Sequence, residues 1–287
     1  MELIFEMTPL LYAGVFIFGL LIGSFLNVLI LRIPPLLEFE WRCQCNELLE
    51  LQKDKEKRPP GIVAARSKCP KCGHGIRAWE NIPIFSYLLL RGRCSSCQEK
   101  ISPRYPLVEL TTAVLFVITM WHFGLSIQGI SGLVLVSFLI TLTGIDFDRQ
   151  LLPDNLTLPL LWSGILLANH DVHTDLSSSV FGAIAGYLVL WSIYHLFRLM
   201  TGKEGMGYGD FKLLAALGAW MGWQMLPLII LLSSVVGALT GLIMMSTGRL
   251  QKDQPLPFGP FIAAAGWISL IWGRELMDFY SRSQAFG

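Results

Sequence analysis

The sequence predicts an all-α polytopic membrane protein of about eight transmembrane helices, with a small polar domain inserted between helices 1 and 2. Hydrophobic residues account for 53% of the 287 residues and charged residues for only 15%, whereas soluble domains carry about 25% charged residues. The charge is also unevenly distributed, because 14 of the 22 Lys and Arg residues lie between positions 32 and 104, together with all six cysteines. A basic, polar segment therefore interrupts a membrane protein.

This basic segment predicts the orientation of the chain, since loops rich in Lys and Arg remain in the cytoplasm. We therefore expect a cytoplasmic loop and a periplasmic N-terminus. No Lys or Arg precedes Arg32, so the N-terminal segment lacks the basic region of a cleaved signal peptide and is expected to stay as a helix. The predicted parts are the first transmembrane helix (1–31), the basic loop (32–105) and a seven-helix membrane domain (106–287).

Eight apolar runs account for the predicted helices, since about 20 apolar residues cross a bilayer core. The run from 211 to 245 is too long for one crossing, and Pro227, following Trp223 and Gln224, supplies a break. The weakest run is short and contains Pro159. The runs are 9–31, 106–123, 130–145, 156–169, 176–197, two spans within 211–245, and 258–272.

Two aspartates stand at the edges of apolar runs. Asp146 ends the third run, and Asp210 follows Gly207 and Gly209 at the start of the sixth. An even number of crossings between the aspartates places both at the cytoplasmic edge. Two readings stay open from spacing alone: interfacial charges that terminate helices, or a paired acid site. The two glycines have no Cβ atom and would let an extended peptide approach Asp210 closely.

Other polar residues in or near the apolar runs have simpler explanations. For Asn27 we expect a hydrogen bond between helices, and for Glu109 a favourable interaction with the dipole of the helix whose first turn it occupies. His170 and His173 are expected in an exposed loop, with metal ligation as the alternative. Lys212 is expected to extend its amine to the membrane interface, with stabilisation of an anion as the alternative.

Four cysteines form two C-x-x-C pairs separated by 21 residues, Cys69 with Cys72 and Cys94 with Cys97. Each pair can present two thiolates from one tight turn, and two such turns complete a tetrahedral sulfur site. The pattern predicts a cytoplasmic domain (67–104) folded around structural zinc, with redox thiols or free cysteines as alternatives. Cys43 and Cys45 lie outside the pattern and are expected to be unligated thiols near the membrane surface.

A series of short motifs follows in a fixed order along residues 10–273. In this order they resemble the bacterial type IV prepilin peptidases. They are Gly23-Ser24-Phe25-Leu26-Asn27-Val28, the two cysteine pairs, Asn81-Ile82-Pro83, Arg91-Gly92-Arg93-Cys94, Ser102-Pro103-Arg104-Tyr105-Pro106-Leu107-Val108-Glu109, Ile145-Asp146 through Leu152-Pro153-Asp154, Gly207-Tyr208-Gly209-Asp210 and Pro257-Phe258-Gly259-Pro260.

The resemblance implies a bifunctional enzyme of the bacterial inner membrane. It would cleave the leader of prepilins or pseudopilins after a glycine, on the cytoplasmic side, and N-methylate the exposed residue with S-adenosylmethionine. The family's aspartyl pair falls on Asp146 and Asp210, with Asp148 and Asp154 as neighbours. The substrate would enter laterally from the lipid bilayer, and no nucleic-acid partner is expected. The sequence assigns no residues to the methyl donor, since no G-x-G-x-x-G follows a strand.

Two rival functions remain open from the sequence. Carboxylates within a membrane also mark ion pathways, so a carrier would place the two aspartates deeper in the bilayer along a continuous channel. A non-catalytic assembly protein would use the cysteine domain for docking, and would have no use for the aspartates.

Overall fold

Residues 8–51, 57–62, 66–203, 205–248 and 256–285 are described by the structure, a computed structural model. Residues 1–7, on which part of the N-terminal prediction falls, lie outside these ranges. Within them the regular elements are nine α-helices and two 3₁₀ helices, at Ala78–Asn81 and Trp223–Met225. The α-helices are α1 (Pro9–Leu48), α2 (Phe85–Leu89), α3 (Arg104–Phe123), α4 (Ile127–Arg149), α5 (Asp154–Ala168), α6 (Leu176–Thr201), α7 (Tyr208–Met221), α8 (Leu226–Ser246) and α9 (Gly259–Ala285).

The all-α membrane fold class is confirmed over the part of the chain that the structure describes. Five segments are long and apolar enough to cross a membrane, namely α1, α3, α4, α6 and Trp223–Ser246. Helices α5 and α7 contain only 15 and 14 residues, fewer than the about 20 that a full crossing needs. The count of eight spans, like the three-part division of the chain, therefore stays a prediction.

The chain folds as two compact units, one up to Thr141 and one from Leu142. In the first unit, α1 and α3 pack closely because α1 presents glycines to its neighbour. A Cβ atom on Gly19 would lie 2.6 Å from the Cα of Ala113, and one on Gly23 would lie 2.7 Å from the Cα of Glu109. The Asn27 side chain donates a 3.1 Å hydrogen bond to the carbonyl of Tyr105, which confirms the predicted bond between helices.

Two predicted boundaries in the first unit are wrong. Helix α1 does not end near Leu31 but continues to Leu48 through Pro34 and Pro35, because the residues beyond them include strong helix formers such as Leu and Glu. Helix α3 begins at Arg104, so Glu109 does not lie in its first turn. A helix-dipole interaction therefore does not explain Glu109.

In the second unit, α7 is the central helix, and every residue from Asp210 to Met221 except Lys212 is buried. An apolar helix buried on all sides is one surrounded by other elements, here chiefly α5 and α6. The α6 contact is closest at Gly182 and Gly218, where a Cβ on either residue would overlap the carbonyl of the other. On the α5 side, the Trp220 indole donates a 2.8 Å hydrogen bond to the carbonyl of Leu160.

The predicted break between the sixth and seventh runs is confirmed. Helix α7 ends at Met221, and the next residue, Gly222, has a φ of +83°, a backbone angle that glycine adopts without strain. A 3₁₀ turn and α8 follow, with Pro227 near the start of α8, where a missing N–H costs no helical hydrogen bond. In the loop between α5 and α6, His170 is exposed and His173 is half-buried, with its ring centroid 5.6 Å from that of Trp220.

Candidate active site and cysteine metal centre

Asp146 lies in the last turn of α4, where its side chain is only 5% exposed. One carboxylate oxygen, Oδ2, accepts a 3.0 Å hydrogen bond from the backbone N–H of Gly259, the first residue of α9. The N–H groups of a first helical turn have no partners within the helix and attract anions. The start of α9 therefore holds the carboxylate in place.

Asp210 lies in the first turn of α7 and is 6% exposed. Its Oδ2 atom accepts a 3.2 Å hydrogen bond from the backbone N–H of Gly207, which precedes the helix in an extended conformation. An acid three residues into a helix commonly bonds back to the capping residue in this way. The Gly-x-Gly-Asp sequence thus fixes its own carboxylate by local geometry.

The structure brings the two predicted acids together. Asp146 and Asp210 lie within electrostatic range of each other, and both are nearly excluded from solvent. Two carboxyl groups in such surroundings can divide the roles of proton acceptor and hydrogen-bond donor. The arrangement supports general acid–base chemistry on a polar bond placed between them.

Leu152 is a site residue that the sequence reasoning missed. It is 7% exposed and packs against both Gly209 and Gly259. A Cβ on Gly209 would lie 2.6 Å from the Cβ of Leu152, and one on Gly259 would lie 3.2 Å from its Cδ1. Gly209 therefore has a packing role within the chain, while a Cβ on Gly207 would meet no atom nearer than 3.9 Å. The use of either glycine in substrate approach stays a prediction.

Asp148 and Asp154, the acids near Asp146 in the sequence, are not buried as Asp146 and Asp210 are. Asp148 is exposed, and Asp154 accepts bonds of 2.6 and 2.8 Å from the Lys212 amine. This ion pair is partly exposed, and such pairs contribute about 0–1 kcal/mol. Lys212 is thus paired with Asp154.

The four predicted cysteines come together in the first unit, with all their Sγ atoms within 4.8 Å of one another. The Sγ atoms of Cys69 and Cys97 are 3.9 Å apart. Two metal–sulfur bonds of about 2.3 Å at a tetrahedral angle separate the sulfurs by about 3.8 Å. The cluster therefore fits a metal ion such as zinc, whereas Cys43 and Cys45 are exposed on α1 and take no part in it.

The two cysteine turns have the same backbone geometry. The N–H of Cys69 bonds to the carbonyl of His74, and the N–H of Cys94 bonds to the carbonyl of Glu99, both at 2.9 Å. Each turn closes through a residue with positive φ, Gly73 in the first and Gln98 in the second. The repeated geometry presents two thiols from each turn to a common centre.

Backbone N–H groups within these turns favour the thiolate form that a metal requires. Those of Cys72 and Lys71 lower the pKa of Cys69 to about 7. Those of Cys97 and Ser96 likewise lower the pKa of Cys94. One thiol in each turn is thus favoured as a thiolate, whereas the pKa of Cys97 is raised to about 12, because the backbone N–H of Glu99 is outweighed by desolvation and the other three thiols.

Comparison with known proteins covers nearly the whole chain. Residues 17–123 match the Bacterial Peptidase A24 N-terminal domain, and residues 133–242 match the Type IV leader peptidase family. A prepilin leader peptidase/N-methyltransferase of Stutzerimonas stutzeri is 51% identical, over 92% of this chain and 91% of its own length. A protein of the same name from Aeromonas hydrophila is 50% identical, over 98% of this chain and 97% of its own length. One from Legionella pneumophila is 45% identical, over 94% of this chain and 94% of its own length. No solved structure matches the chain.

Both family regions contain the expected groups, since the first holds the cysteine cluster and the second holds the two buried aspartates. About half of the residues are shared with relatives along almost their full length. The chain belongs to the type IV leader peptidase family.

Proposed function

We propose that this chain is a membrane aspartyl endopeptidase that removes the leader peptide of type IV prepilins and pseudopilins and then N-methylates the new N-terminal residue. The observation that carries the proposal is the pairing of two buried carboxylates, Asp146 and Asp210. The relatives are prepilin leader peptidase/N-methyltransferases, which supports the same two activities. The chain would act as a multi-pass protein of the bacterial inner membrane.

Peptide cleavage follows from the acid pair. Two adjacent carboxylates repel each other when both are charged, so the pair carries one proton. The charged carboxylate takes a proton from water as the water oxygen bonds to the scissile carbonyl carbon, and the protonated one donates a hydrogen bond to the carbonyl oxygen. The carbon–nitrogen bond then breaks, and the leaving nitrogen receives the proton taken from water.

Exposed aromatic side chains flank the buried acids. Phe147 follows Asp146 and is 62% exposed, while Tyr208 precedes Asp210 by two positions and is 44% exposed. An apolar substrate helix arriving through the lipid could pack on such side chains. We therefore propose lateral entry of the substrate, with the acids and the basic loop at the cytoplasmic face.

Methyl transfer requires a donor with an activated methyl group, which S-adenosylmethionine supplies on its sulfonium sulfur. The amine nitrogen of the new N-terminus takes the methyl carbon. The carbon–sulfur bond breaks with its electron pair on sulfur, and the nitrogen loses one proton. The protein must bind the donor, orient the amine and receive that proton.

Zinc would have a structural role in the cysteine cluster. Four thiolates complete a tetrahedral coordination sphere and leave no position for a substrate or water. A unit this small buries little apolar surface, so metal binding would supply much of its folding free energy.

Replacing Cys69 or Cys94 with serine should reduce bound zinc from about one ion per chain to near zero, because a serine hydroxyl is a poor substitute for a thiolate. Metal analysis of the purified protein measures this directly. Matched variants Cys43→Ser and Cys45→Ser should keep the full zinc content. Zinc bound equally well by Cys69→Ser would contradict the four-sulfur site. Zinc should also dissociate as the pH falls, since protons compete for the thiolates.

Incubation of the purified chain with a full-length prepilin tests the proposed function. Mass spectrometry should show loss of the leader without any cofactor, and a further gain of one methyl group only when S-adenosylmethionine is present. A prepilin whose glycine before the cleavage site is replaced serves as the substrate control. Absence of cleavage, together with gradient-dependent ion flux in liposomes, would favour a carrier instead.

A further inference from the structure

A cavity of about 450 Å³ lies within the first unit, between the cysteine turns, the middle of α1 and the start of α3. Small-molecule sites in proteins have volumes of about 300–1,000 Å³. The cavity is not a simple packing defect in an apolar core, because polar side chains from three segments line it. Nothing in the cleavage reaction uses it.

Acidic and basic side chains both line this cavity, and its two least exposed carboxylates could face a cationic group of a ligand. Glu109 on α3 is 7% exposed, and its Oε2 accepts a 2.8 Å bond from the N–H of Ile84. The side chain of Glu80 is 5% exposed, its Oε2 lies 3.4 Å from the Nε2 of His74, and it accepts a 2.7 Å bond from the N–H of Arg77. Both carboxylates line the cavity. A buried carboxylate favours a positively charged ligand and opposes a polyphosphate.

The backbone near Glu109 is held in a strained conformation. Ile84 has a φ of +59°, an angle that is rare for a β-branched residue. Its N–H group is the one that donates to Glu109. The strain thus orients a buried carboxylate beside an open cavity, which is a common arrangement at ligand sites.

The remaining lining residues suit a nucleoside that carries an amino acid. Tyr87 and Tyr105 line the cavity, and aromatic side chains can stack on a base. Lys68 and Lys100 are exposed at the rim, where their amines could pair with a ligand carboxylate. Asn27 lies deeper, 5% exposed, and offers amide groups for hydrogen bonding.

We propose that this cavity binds the methyl donor, the sulfonium nucleoside S-adenosylmethionine, with Glu109 and Glu80 facing its positive charges. The inference rests on the methyltransferase half of the proposed function and deepens it. Cys69 and Cys94 also line the cavity, so a metal in the cluster would hold one of its walls in shape without taking part in methyl transfer.

Calorimetric titration of the purified full chain with S-adenosylmethionine, without any pilin, tests the assignment. Glu109→Gln should weaken binding about tenfold or more, because a charge-assisted contact is lost. S-Adenosylhomocysteine has a neutral sulfur, so its affinity should change less than that of the donor. Glu47→Gln, an exposed acid on α1, is the matched control and should bind as the wild type does.

A second variant tests the location without removing a charge. Val28→Trp adds bulk to a lining position, whereas Ile17→Trp adds the same bulk to an exposed position elsewhere on α1. Only Val28→Trp should lose donor binding, with zinc content and thermal melting reporting that both variants fold.

The outcomes separate the inference from the function on which it rests. If wild type binds the donor and methylates pilin while Glu109→Gln and Val28→Trp bind it normally, the cavity assignment is wrong and methyl transfer stands. If wild type neither binds the donor nor methylates, both are wrong.

Discussion

Asp146→Asn and Asp210→Asn should each abolish leader cleavage by the purified protein. Asparagine has nearly the same shape as aspartate and its amide oxygen can still accept the bond from Gly259 or Gly207, so the fold should be retained. It cannot exchange a proton, however, and general acid–base catalysis contributes about 10²–10⁴-fold to rate. We expect the cleavage rate to fall at least about 10³-fold in either variant, measured by the loss of leader from a purified prepilin.

The neighbouring acids supply controls for this prediction. Asp148→Asn changes an exposed carboxylate and should leave cleavage within about twofold of wild type. Asp154→Asn breaks the partly exposed ion pair with Lys212 and should have a similarly small effect. If Asp146→Asn or Asp210→Asn cuts normally while Asp148→Asn or Asp154→Asn does not, the catalytic pair must be reassigned.

Local features of the sequence predicted much of the fold. The length of an apolar run indicates a helix, and two C-x-x-C pairs indicate a shared metal centre, because both depend on residues that are close in the chain. The break before α8 was likewise predictable from Pro227. Counting crossings places Asp146 and Asp210 at the same edge of the membrane, but their pairing is implied only by the family resemblance.

Contacts between distant segments were not predictable in the same way. Gly259 and Asp146 are 113 residues apart, and no periodicity or composition links them. The Pro-Phe-Gly-Pro sequence was visible as a motif, but nothing in it indicated that its glycine N–H would bind a carboxylate. Glu109 is a similar case, since its partner Ile84 lies in a separate segment. A charged residue next to an apolar run can be recognised from the sequence as unusual. The group that it contacts, however, depends on tertiary packing and cannot be read from the sequence.

Gly259→Ala should impair cleavage although it changes no titratable group. An alanine Cβ at this position would lie 2.7 Å from the Oδ2 atom of Asp146, too close for the present hydrogen bond to survive. The carboxylate can rotate away more easily than the backbone can move, so the helices should stay packed while the acid is displaced. Gly259 is thus a positioning residue, and displacing a reacting group by about 1 Å can cost about 10²-fold in rate.

Kinetics and melting curves together distinguish this positional effect from loss of folding. Gly259→Ala should lower kcat about 10–100-fold with little change in KM, because the substrate still binds while the acid pair is misaligned. Gly241→Ala is the matched control, since a Cβ there meets no atom within 4 Å. Alanine in a helix is favoured over glycine by about 1 kcal/mol, so this control should cut normally and melt no lower than wild type. A Gly259→Ala protein with the wild-type kcat would show that the N–H bond to Asp146 does not position the catalytic carboxylate. If the Gly259→Ala protein instead loses both kcat and melting temperature, Gly259 serves the packing of α9.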